Sequence, residues 1–407
     1  MIKFNSNIFI RSFLFLLLIF TNITGLVALL VGSAVSEGCI VLFAILLMIH
    51  LLLQKRTYDF IDYSCIFIAG YSIIITLIMI IFFDYEVSSL IGIYYYTLPC
   101  IIFLNRNHSF FKKNIDFYFH CFLFFILLNS IWAIYQTINP FCAYPVQTGT
   151  LRVRGFMKST LNYSGLLGAS FFPLLFYEFK PKIFKFISSI ILLIGSFLTI
   201  SKGFFTNIIT GFFFSYPTQA ISSKIEKRQI TNIAKAVGIG AIVLFIAIIA
   251  IIQTGTIEKY DQFINFLNFS TNGSNVQRAN SWASFFNYFP INPFGYGVGQ
   301  IHSGTDFVFH SVNFESYALD TIYSIGIVAF LYFALPIIYF VKNSKYLSTK
   351  YSQFYLMYLI GIYIQNLIQV SMLTPATTVI TWFNFIFLMN YFKQKTIEQN
   401  LISEVKE

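Results

Sequence analysis

The sequence predicts an all-α protein that crosses a membrane about twelve times. Of its 407 residues, 57% are hydrophobic and only 10% are charged, whereas soluble domains carry about 25% charged residues. Apolar runs of roughly 20 residues recur along the chain, and each can cross a bilayer as a helix that satisfies its own backbone. The composition therefore excludes a water-soluble enzyme, a secreted disulfide scaffold and a disordered chain.

The apolar runs place the spans in order along the chain. They cover 13–32, 38–54, 61–83, 88–104, 117–138, 161–178, 183–200, 203–219, 233–253, 316–341, 353–372 and 376–392. The first run is longer than the apolar core of a signal peptide, about 7–15 residues, which predicts an uncleaved anchor. We expect a single polytopic membrane domain over 1–407, with one long external loop at 254–315 before the tenth span.

The positive charges predict how the chain is oriented. The net charge is +10, with 26 Lys and Arg residues against 16 Asp and Glu residues. With the N-terminus inside, all but six of these cations fall on cytoplasmic loops, as the positive-inside rule requires. We therefore expect both termini in the cytoplasm and the loop 254–315 on the outer face. Because orientation accounts for the charge excess, no nucleic acid is expected as a partner.

The six cations on the outer side are the informative ones. They are Arg152, Arg154, Lys158, Lys202, Lys259 and Arg278. Lys259 lies between Glu258 and Asp261, a setting typical of ordinary solvated charge. Two arginines two residues apart at a membrane surface suit a pyrophosphate instead, because arginine binds phosphates through planar, bidentate hydrogen bonds. Lys202 lies between two apolar runs, where it either snorkels to the surface or joins the same site.

The loop 254–315 is expected to carry a short interfacial helix. Arg278 and Trp282 are four residues apart and so share one helix face, and Phe285 belongs to an apolar side. This pattern predicts a helix lying on the outer leaflet. The glycine-rich stretch at 294–299 follows and is typical of a tight turn that returns the chain to the membrane.

Polar residues end this loop and continue into the tenth span. Three of them are candidate bases: His310, Glu315 and Asp320. Asp320 shares a helix face with Ser316 and Ser324, and Gln365 and Gln369 recur four residues apart in the eleventh span. Ionisable groups at membrane depth are costly and normally face a cavity. These residues therefore predict a polar cavity open to the outside.

No cofactor or metal site is expected. The five cysteines are scattered, with no paired motif and no histidine at the spacing of a metal site. Most of them lie in apolar runs, where cysteine is usually a small core residue.

Four segments resemble those of the O-antigen ligase/polymerase superfamily. RVRGFMKSTLNYSGLL resembles its Arg-x-Gly…Asn segment, and ISKGFFTNIITG resembles its Ser-Arg-Gly segment, with Lys202 in place of the usual arginine. RANSWASFFNYFPINPFGYGVG resembles its Arg…Trp…Pro-x-x-Gly-x-Gly segment, and ESYALDTIYSIGIVAFLYF resembles its last motif before the next span. The resemblance covers about 150–333, in order, with the long outer loop in the expected place.

The resemblance implies a metal-independent glycosyltransferase with a GT-C-like architecture. Such an enzyme works on undecaprenyl-pyrophosphate substrates at the outer face of the bacterial inner membrane. By this resemblance Arg154, Lys202 and Arg278 would hold the pyrophosphate leaving group. Ligases of the superfamily usually carry a histidine where this chain has Glu315 or, in a looser register, His310. That departure favours a polymerase of O-antigen, capsule or exopolysaccharide repeats.

The chemistry of this transfer fits the residues independently. Cations are needed to stabilise the departing phosphates, and a base is needed near the acceptor hydroxyl. Glu315 is the first choice, His310 the second, and Asp320 remains a candidate. Two alternatives stay open: a ligase that transfers glycan to an acceptor, and a lipid-linked oligosaccharide flippase, which should show cations through its midplane and often two related halves. A polymerase would have the lipid bilayer, a flippase and a chain-length regulator as its partners.

Overall fold

The computed structural model is almost entirely helical in the part of the chain that it describes. It describes residues 6–52, 57–85, 87–147, 152–199, 201–221, 273–288, 291–298, 314, 316–369 and 374–404. This part contains no β-strand, only one isolated bridge between Gln147 and Arg152. The all-α prediction is therefore confirmed for these residues. The predicted span 233–253 and much of the loop 254–315 lie outside them.

The helices follow the predicted apolar runs. They are α1 Ser6–Asn22, α2 Thr24–Val31, α3 Ser33–Leu52, α4 Phe60–Phe82, a 3-10 helix Val87–Ile93, α5 Tyr94–Leu104, α6 Ser109–Lys113, α7 Ile115–Ile138, α8 Thr160–Phe176, α9 Lys182–Leu198, α10 Lys202–Ile221, α11 Gly273–Tyr288, α12 Tyr317–Ile325, α13 Val328–Ser344, α14 Thr349–Ile368 and α15 Pro375–Glu404. The helix expected in the long loop is α11, and it carries Arg278, Trp282 and Phe285.

The core is centred on α15. Every residue from 374 to 392 is buried, so the helix is enclosed on all sides, as an apolar helix inside a bundle must be. Its Trp382 packs against Phe103 of α5 and Tyr332 of α13, with ring centroids 5.1 and 5.4 Å apart. Tyr118 of α7 stacks on Phe387 at 4.0 Å. Aromatic packing of this kind joins helices from across the whole chain.

Few of the described helices are both long and apolar enough to cross a membrane unaided. Two of them, α4 and α7, have the length and apolarity of a span, and α1 with α2 makes a third if that bent pair is counted as one. Helices α8, α9 and α13 have 17 residues each, which is about 26 Å, somewhat less than the roughly 30 Å of a hydrocarbon core. The described residues thus support a membrane protein but do not confirm twelve spans.

Two predicted spans are broken into separate helices. The first bends by 82° at Ile23, between α1 and α2. The run 316–341, predicted as one span, is interrupted at Gly326, whose φ is +58°. A Cβ at Gly326 would lie 2.2 Å from the Pro293 carbonyl oxygen, so the glycine-rich stretch packs directly against the break. There Gly297 N donates to Ser324 O at 3.0 Å, which satisfies a carbonyl at the end of α12.

Contacts between distant residues sort the helix termini into two groups. One group, which we call the Arg106 end, joins Arg106 to Asp59 and Lys395 to Glu178. The other, the Arg152 end, joins Arg152 to Thr199 and Lys158 to Glu37. The sequence placed the first set of residues inside and the second set outside. The contacts therefore agree with the predicted alternation of the chain between two ends.

Candidate functional site

Arg152 caps the carboxyl end of α9. Its Nε and Nη2 donate to the Thr199 carbonyl oxygen at 2.9 and 2.7 Å. The last carbonyls of a helix lack partners within the helix and carry partial negative charge, so a guanidinium is well placed there. Burial lowers the pKa of Arg152. This contact brings the loop before α8 against the segment that leads to Ser201 and Lys202.

Arg154 lies in a turn that α7 organises. Its guanidinium lies 4.3 Å from the centroid of the Tyr144 ring, and its Nε donates to the Pro145 carbonyl oxygen at 2.9 Å. Nη1 donates to the Lys158 carbonyl oxygen at 3.3 Å, whereas Nη2 makes no hydrogen bond to any described residue. The Arg154 side chain is half-buried. One edge of the guanidinium is therefore available to an anion.

Gln136 on α7 holds this turn in place. Its Oε1 accepts from the backbone N–H groups of Arg154 and Gly155, at 3.0 and 3.1 Å. Its Nε2 donates to the carbonyl oxygens of Tyr144 and Gly155, at 2.8 and 3.1 Å. Gln136 is completely buried. Because buried backbone groups must be paired, a single side chain fixes the conformation that presents Arg154.

The same loop inserts into the bend between α1 and α2. The first N–H groups of a helix lack partners within the helix, and here those of Gly25 and Leu26 donate to the Phe156 carbonyl oxygen at 2.9 and 3.3 Å. A Cβ at Gly25 would lie 2.4 Å from the backbone carbon of Met157. The bend and the arginine loop therefore depend on each other.

Lys158 pairs with an acid that sequence reasoning did not select. Its Nζ lies 3.1 Å from Glu37 Oε1 and 2.7 Å from Ser33 Oγ. The two charged residues line a cleft with Asn162 and Thr374. Glu37 is the single acid in the turn between the first two predicted spans, on the side that carries the arginines. That position was the available signal, but the pairing joins residues 121 positions apart.

A buried polar network lies beside the arginine loop. Ser164 Oγ donates to Ser201 Oγ at 2.5 Å, and Ser201 Oγ donates to Gln369 Oε1 at 3.5 Å. Asn207 Nδ2 donates to Gln365 Oε1 at 2.6 Å. Gln365 and Gln369 are 1% and 4% exposed, so they join α8, α10 and α14. We expected both glutamines to line an open cavity, and they are instead packed into this network.

Glycines make room for the two glutamines. A Cβ at Gly168 would lie 2.0 Å from Gln365 Oε1, and a Cβ at Gly203 would lie 1.7 Å from Gln369 Oε1. The two helices α8 and α10 can therefore approach α14 only because these positions lack side chains. Gly203 follows Lys202, so the close approach also fixes the backbone of the lysine segment.

Asp320 is fully buried in the first turn of α12. Its Oδ1 accepts from the Phe314 backbone N–H at 3.3 Å. Three residues earlier, Tyr317 N donates to the Gln369 carbonyl oxygen at 3.4 Å, which places this turn beside the network of Ser201 and Gln369. An acid at a helix N-terminus is stabilised by the helix dipole. Asp320 thus lies near the lysine segment within a closed interior.

The remaining predicted site residues lie partly or wholly outside the described part of the chain. Lys202 is the first residue of α10 and Arg278 lies in α11, but their side chains are outside the described part. His310 and Glu315 lie outside the described residues altogether. Among the described residues, no group of three or more His, Cys, Asp or Glu side chains could hold a metal ion.

The arrangement as a whole links two sequence-distant cationic segments. The loop with Arg152 and Arg154 contacts the end of α9, and two residues later Ser201 and Lys202 begin the next helix. Their network reaches the turn that carries Asp320. The edge of Arg154 that carries Nη2 could hold a phosphorylated group beside these segments. A comparison with protein-family models gives no match for this chain, and a comparison with curated proteins gives none either.

Proposed function

We propose that this protein is a membrane glycosyltransferase that polymerises undecaprenyl-pyrophosphate-linked oligosaccharide repeat units at the outer face of the bacterial inner membrane. The contact between Arg152 and Thr199 is the observation that carries the proposal, because it joins the Arg154 turn to the segment of Lys202. The proposal includes about twelve spans, with both termini in the cytoplasm.

The reaction would take place at the Arg152 end. A hydroxyl oxygen of the acceptor glycan attacks the anomeric carbon of the donor sugar, and the bond from that carbon to the pyrophosphate oxygen breaks. Arg154, Lys202 and Arg278 would stabilise the negative charge on the departing pyrophosphate. The hydroxyl proton passes to a base, with Glu315, His310 and Asp320 as the candidates. The released product is undecaprenyl pyrophosphate.

The edge of Arg154 that carries Nη2 supports its role in this site. Arginine uses two neighbouring N–H groups to hold a phosphate, and the turn fixed by Gln136 positions this side chain without using all of its donors. The role of Arg152 is different, since its guanidinium is committed to Thr199. We propose that Arg152 positions the lysine segment and that Arg154 contacts the substrate.

Deletion of the gene separates this function from its alternatives. We expect a deletion strain to show single repeat units on a polysaccharide gel instead of a ladder. A ligase would instead leave polymer attached to the lipid carrier, and a flippase would leave repeat units trapped on the cytoplasmic side. Either of these two outcomes would refute the polymerase.

A variant tests the proposed site directly. Arg154→Ala in the purified protein should lower the rate of polymerisation of a lipid-linked repeat unit by roughly 100-fold, the usual effect of losing one stabilising donor. The matched control is Lys350→Ala, which removes an exposed cation at the Arg106 end. A normal ladder from Arg154→Ala, with its folding unchanged, would remove Arg154 from the site.

A further inference from the structure

A second polar cavity lies at the Arg106 end, and no residue of the arginine loop lines it. Its volume is about 250 Å³, and its lining includes Asp59, Arg106, Lys342, Lys345 and Tyr346. A cavity of this size holds several water molecules or a small charged group. We call it the Arg106 pocket. None of its residues takes part in the proposed transfer reaction.

The acids of the pocket are already neutralised. Arg106 is 1% exposed and holds Asp59 at 2.5 Å and Asp62 at 2.6 Å. Lys342 Nζ lies 2.6 Å from the second oxygen of Asp59. Two carboxylates thus face two cations, and Asp59 also caps the first turn of α4. The charges of these four residues therefore balance and leave no net charge for a ligand.

Two further lysines have no carboxylate partner among the described residues. Lys345 Nζ lies 5.0 Å from the centroid of the Tyr346 ring, and Lys393 Nζ lies 5.5 Å from the same centroid. Lys393 Nζ also donates to the neutral Asn343 Oδ1 at 2.5 Å. Lys345 lines the pocket, and Lys393 contacts two residues of its lining, Asn343 and Tyr346. This edge of the pocket therefore carries positive charge that no described carboxylate compensates.

The electrostatics of Lys393 agree with this geometry. Burial and, as the smaller cause, the positive charge of Lys112 lower the pKa of Lys393 to about 8. A bound anion would offset both effects, because a nearby opposite charge favours the charged form of an amine. The protein alone thus leaves this ammonium in an unfavourable setting that a ligand would relieve.

Apolar surface adjoins the pocket. Phe60 follows Asp59 and is 63% exposed, and Val341 precedes Lys342 and is 64% exposed. Both belong to helices whose outward side chains suit a lipid environment, and α4 is one of the two helices with the properties of a span. A phosphate at the boundary with acyl chains below it would match charged and apolar surfaces together.

We propose that the Arg106 pocket binds a phosphate group through Lys345 and Lys393, and that its source is the headgroup of an anionic phospholipid. The same contacts would accept a free phosphate ester, so the chemistry is shared by both sources. The apolar neighbours Phe60 and Val341 favour the lipid. The proposal is independent of the polymerase, because the two sites share no residue.

Chemical labelling of the unaltered full-length protein provides the first test. In detergent at about pH 8, an amine reagent should modify Lys345 and Lys393, and mass spectrometry quantifies each site. Adding phosphatidylglycerol in mixed micelles should lower labelling of both lysines at least about fivefold, with no change at Lys180, an exposed lysine of the same end. Phosphatidylcholine and inorganic phosphate are the comparison probes.

Protection by phosphatidylglycerol alone identifies the lipid, whereas equal protection by inorganic phosphate identifies a free phosphate as the source. The proposal is overturned if neither phosphatidylglycerol nor inorganic phosphate protects the two lysines, or if phosphatidylcholine protects them as well as phosphatidylglycerol does. A binding measurement completes the test: Lys345→Gln/Lys393→Gln should weaken phosphatidylglycerol binding about tenfold or more. Lys180→Gln/Lys350→Gln removes the same charge and should not. Lys345→Gln alone, which among the described residues loses only the contact with the Tyr346 ring, should weaken binding in a chain that folds normally.

Discussion

The Arg152 guanidinium donates two hydrogen bonds to the Thr199 carbonyl oxygen, from Nε at 2.9 Å and from Nη2 at 2.7 Å. The two residues belong to different connections, one before α8 and one after α9. The contact fixes where α9 ends and hence where the segment of Ser201 and Lys202 begins. A structural role of this kind and a direct role on substrate lead to different measurable results.

Replacing Arg152 tests the structural role. Arg152→Ala should lower the free energy of unfolding by about 1.5–3 kcal/mol, the usual range for a hydrogen bond from a charged group. Arg152→Lys should lower it by less, because one ammonium can keep a single bond to Thr199 but not the fork. Denaturant unfolding in detergent micelles measures both. Unchanged stability with lost polymerisation would assign Arg152 to the substrate instead.

Gln136 gives a sharper test, because glutamate has nearly the same shape. Gln136→Glu replaces the Nε2 donor, which faces the carbonyl oxygens of Tyr144 and Gly155, with an acceptor. We expect a loss of about 2–4 kcal/mol, because buried acceptors would then face each other. The unfolding free energy is again the measurement.

The control for this change lies on the same stretch of chain. Asn139→Asp alters an exposed amide at the end of α7 in the same chemical way and should change the stability by less than about 0.5 kcal/mol. If Gln136→Glu were as well tolerated as this control, Gln136 would not hold the turn that presents Arg154.

The sequence was sufficient to predict most helices but not where they break. An apolar run is a local property, so α4 and α7 follow directly from it. The break at Gly326 lies within a continuous apolar run, and its partner is the Pro293 carbonyl oxygen, which a local pattern cannot reveal. The bend at Ile23 likewise depends on the distant Phe156.

The candidate site was predictable only in part for the same reason. The spacing of Gln365 and Gln369 predicts one helix face, but α14 ends at Ile368 and Gln369 follows it with an extended backbone. Spacing also does not say what the two side chains meet, which is Gly168 and Gly203, so they are packed rather than open to a cavity. The position of Glu37 places it on the side of the arginines, but its pairing with Lys158 is not predictable from the sequence, because two charges on separate loops become neighbours only through the fold.

A glycine substitution tests the dependence between the bend and the arginine loop. Gly25→Ala would place a Cβ 2.4 Å from the backbone carbon of Met157. Backbone cannot move out of the way as a flexible side chain can, so we expect a loss of about 1–3 kcal/mol in unfolding free energy and a shorter polysaccharide ladder. Displacement of the loop that carries Arg154 is the reason for the second effect.

Gly38→Ala is the matched control for this change. Gly38 lies in α3 with nothing within 4 Å of its Cβ position, so alanine should raise the stability by up to about 1 kcal/mol through helix propensity alone. Opposite signs for the two substitutions are expected in the same unfolding assay. If Gly25→Ala raised the stability as Gly38→Ala is expected to, Gly25 would make no special contact with the arginine loop.

Asp59 predicts a dependence of stability on pH. Burial alone would raise the pKa of Asp59, but the hydrogen bond from Lys342 and the charge of Arg106 outweigh it and hold that pKa well below its usual range. A carboxyl with a depressed folded-state pKa contributes stability above its unfolded pKa, and loses that contribution as the pH falls towards the folded value. The stabilisation should therefore be complete at about pH 6 and decline below about pH 4.

The comparison with Asp59→Asn isolates this contribution from every other acid in the chain. The variant should be less stable than the wild type at about pH 6. This difference in stability, the gap, should narrow as the pH falls from about 4 to 3, because the wild type loses the contribution of the charged Asp59 whereas the variant has none to lose. Thermal unfolding in an acid-stable detergent measures the gap.

Asp84→Asn is the control, because it removes an exposed carboxyl with no ion pair to a described residue. Its stability plotted against pH should run parallel to that of the wild type. A gap for Asp59→Asn that stays constant down to about pH 3 would mean that the ion pairs with Arg106 and Lys342 do not stabilise the charged carboxyl.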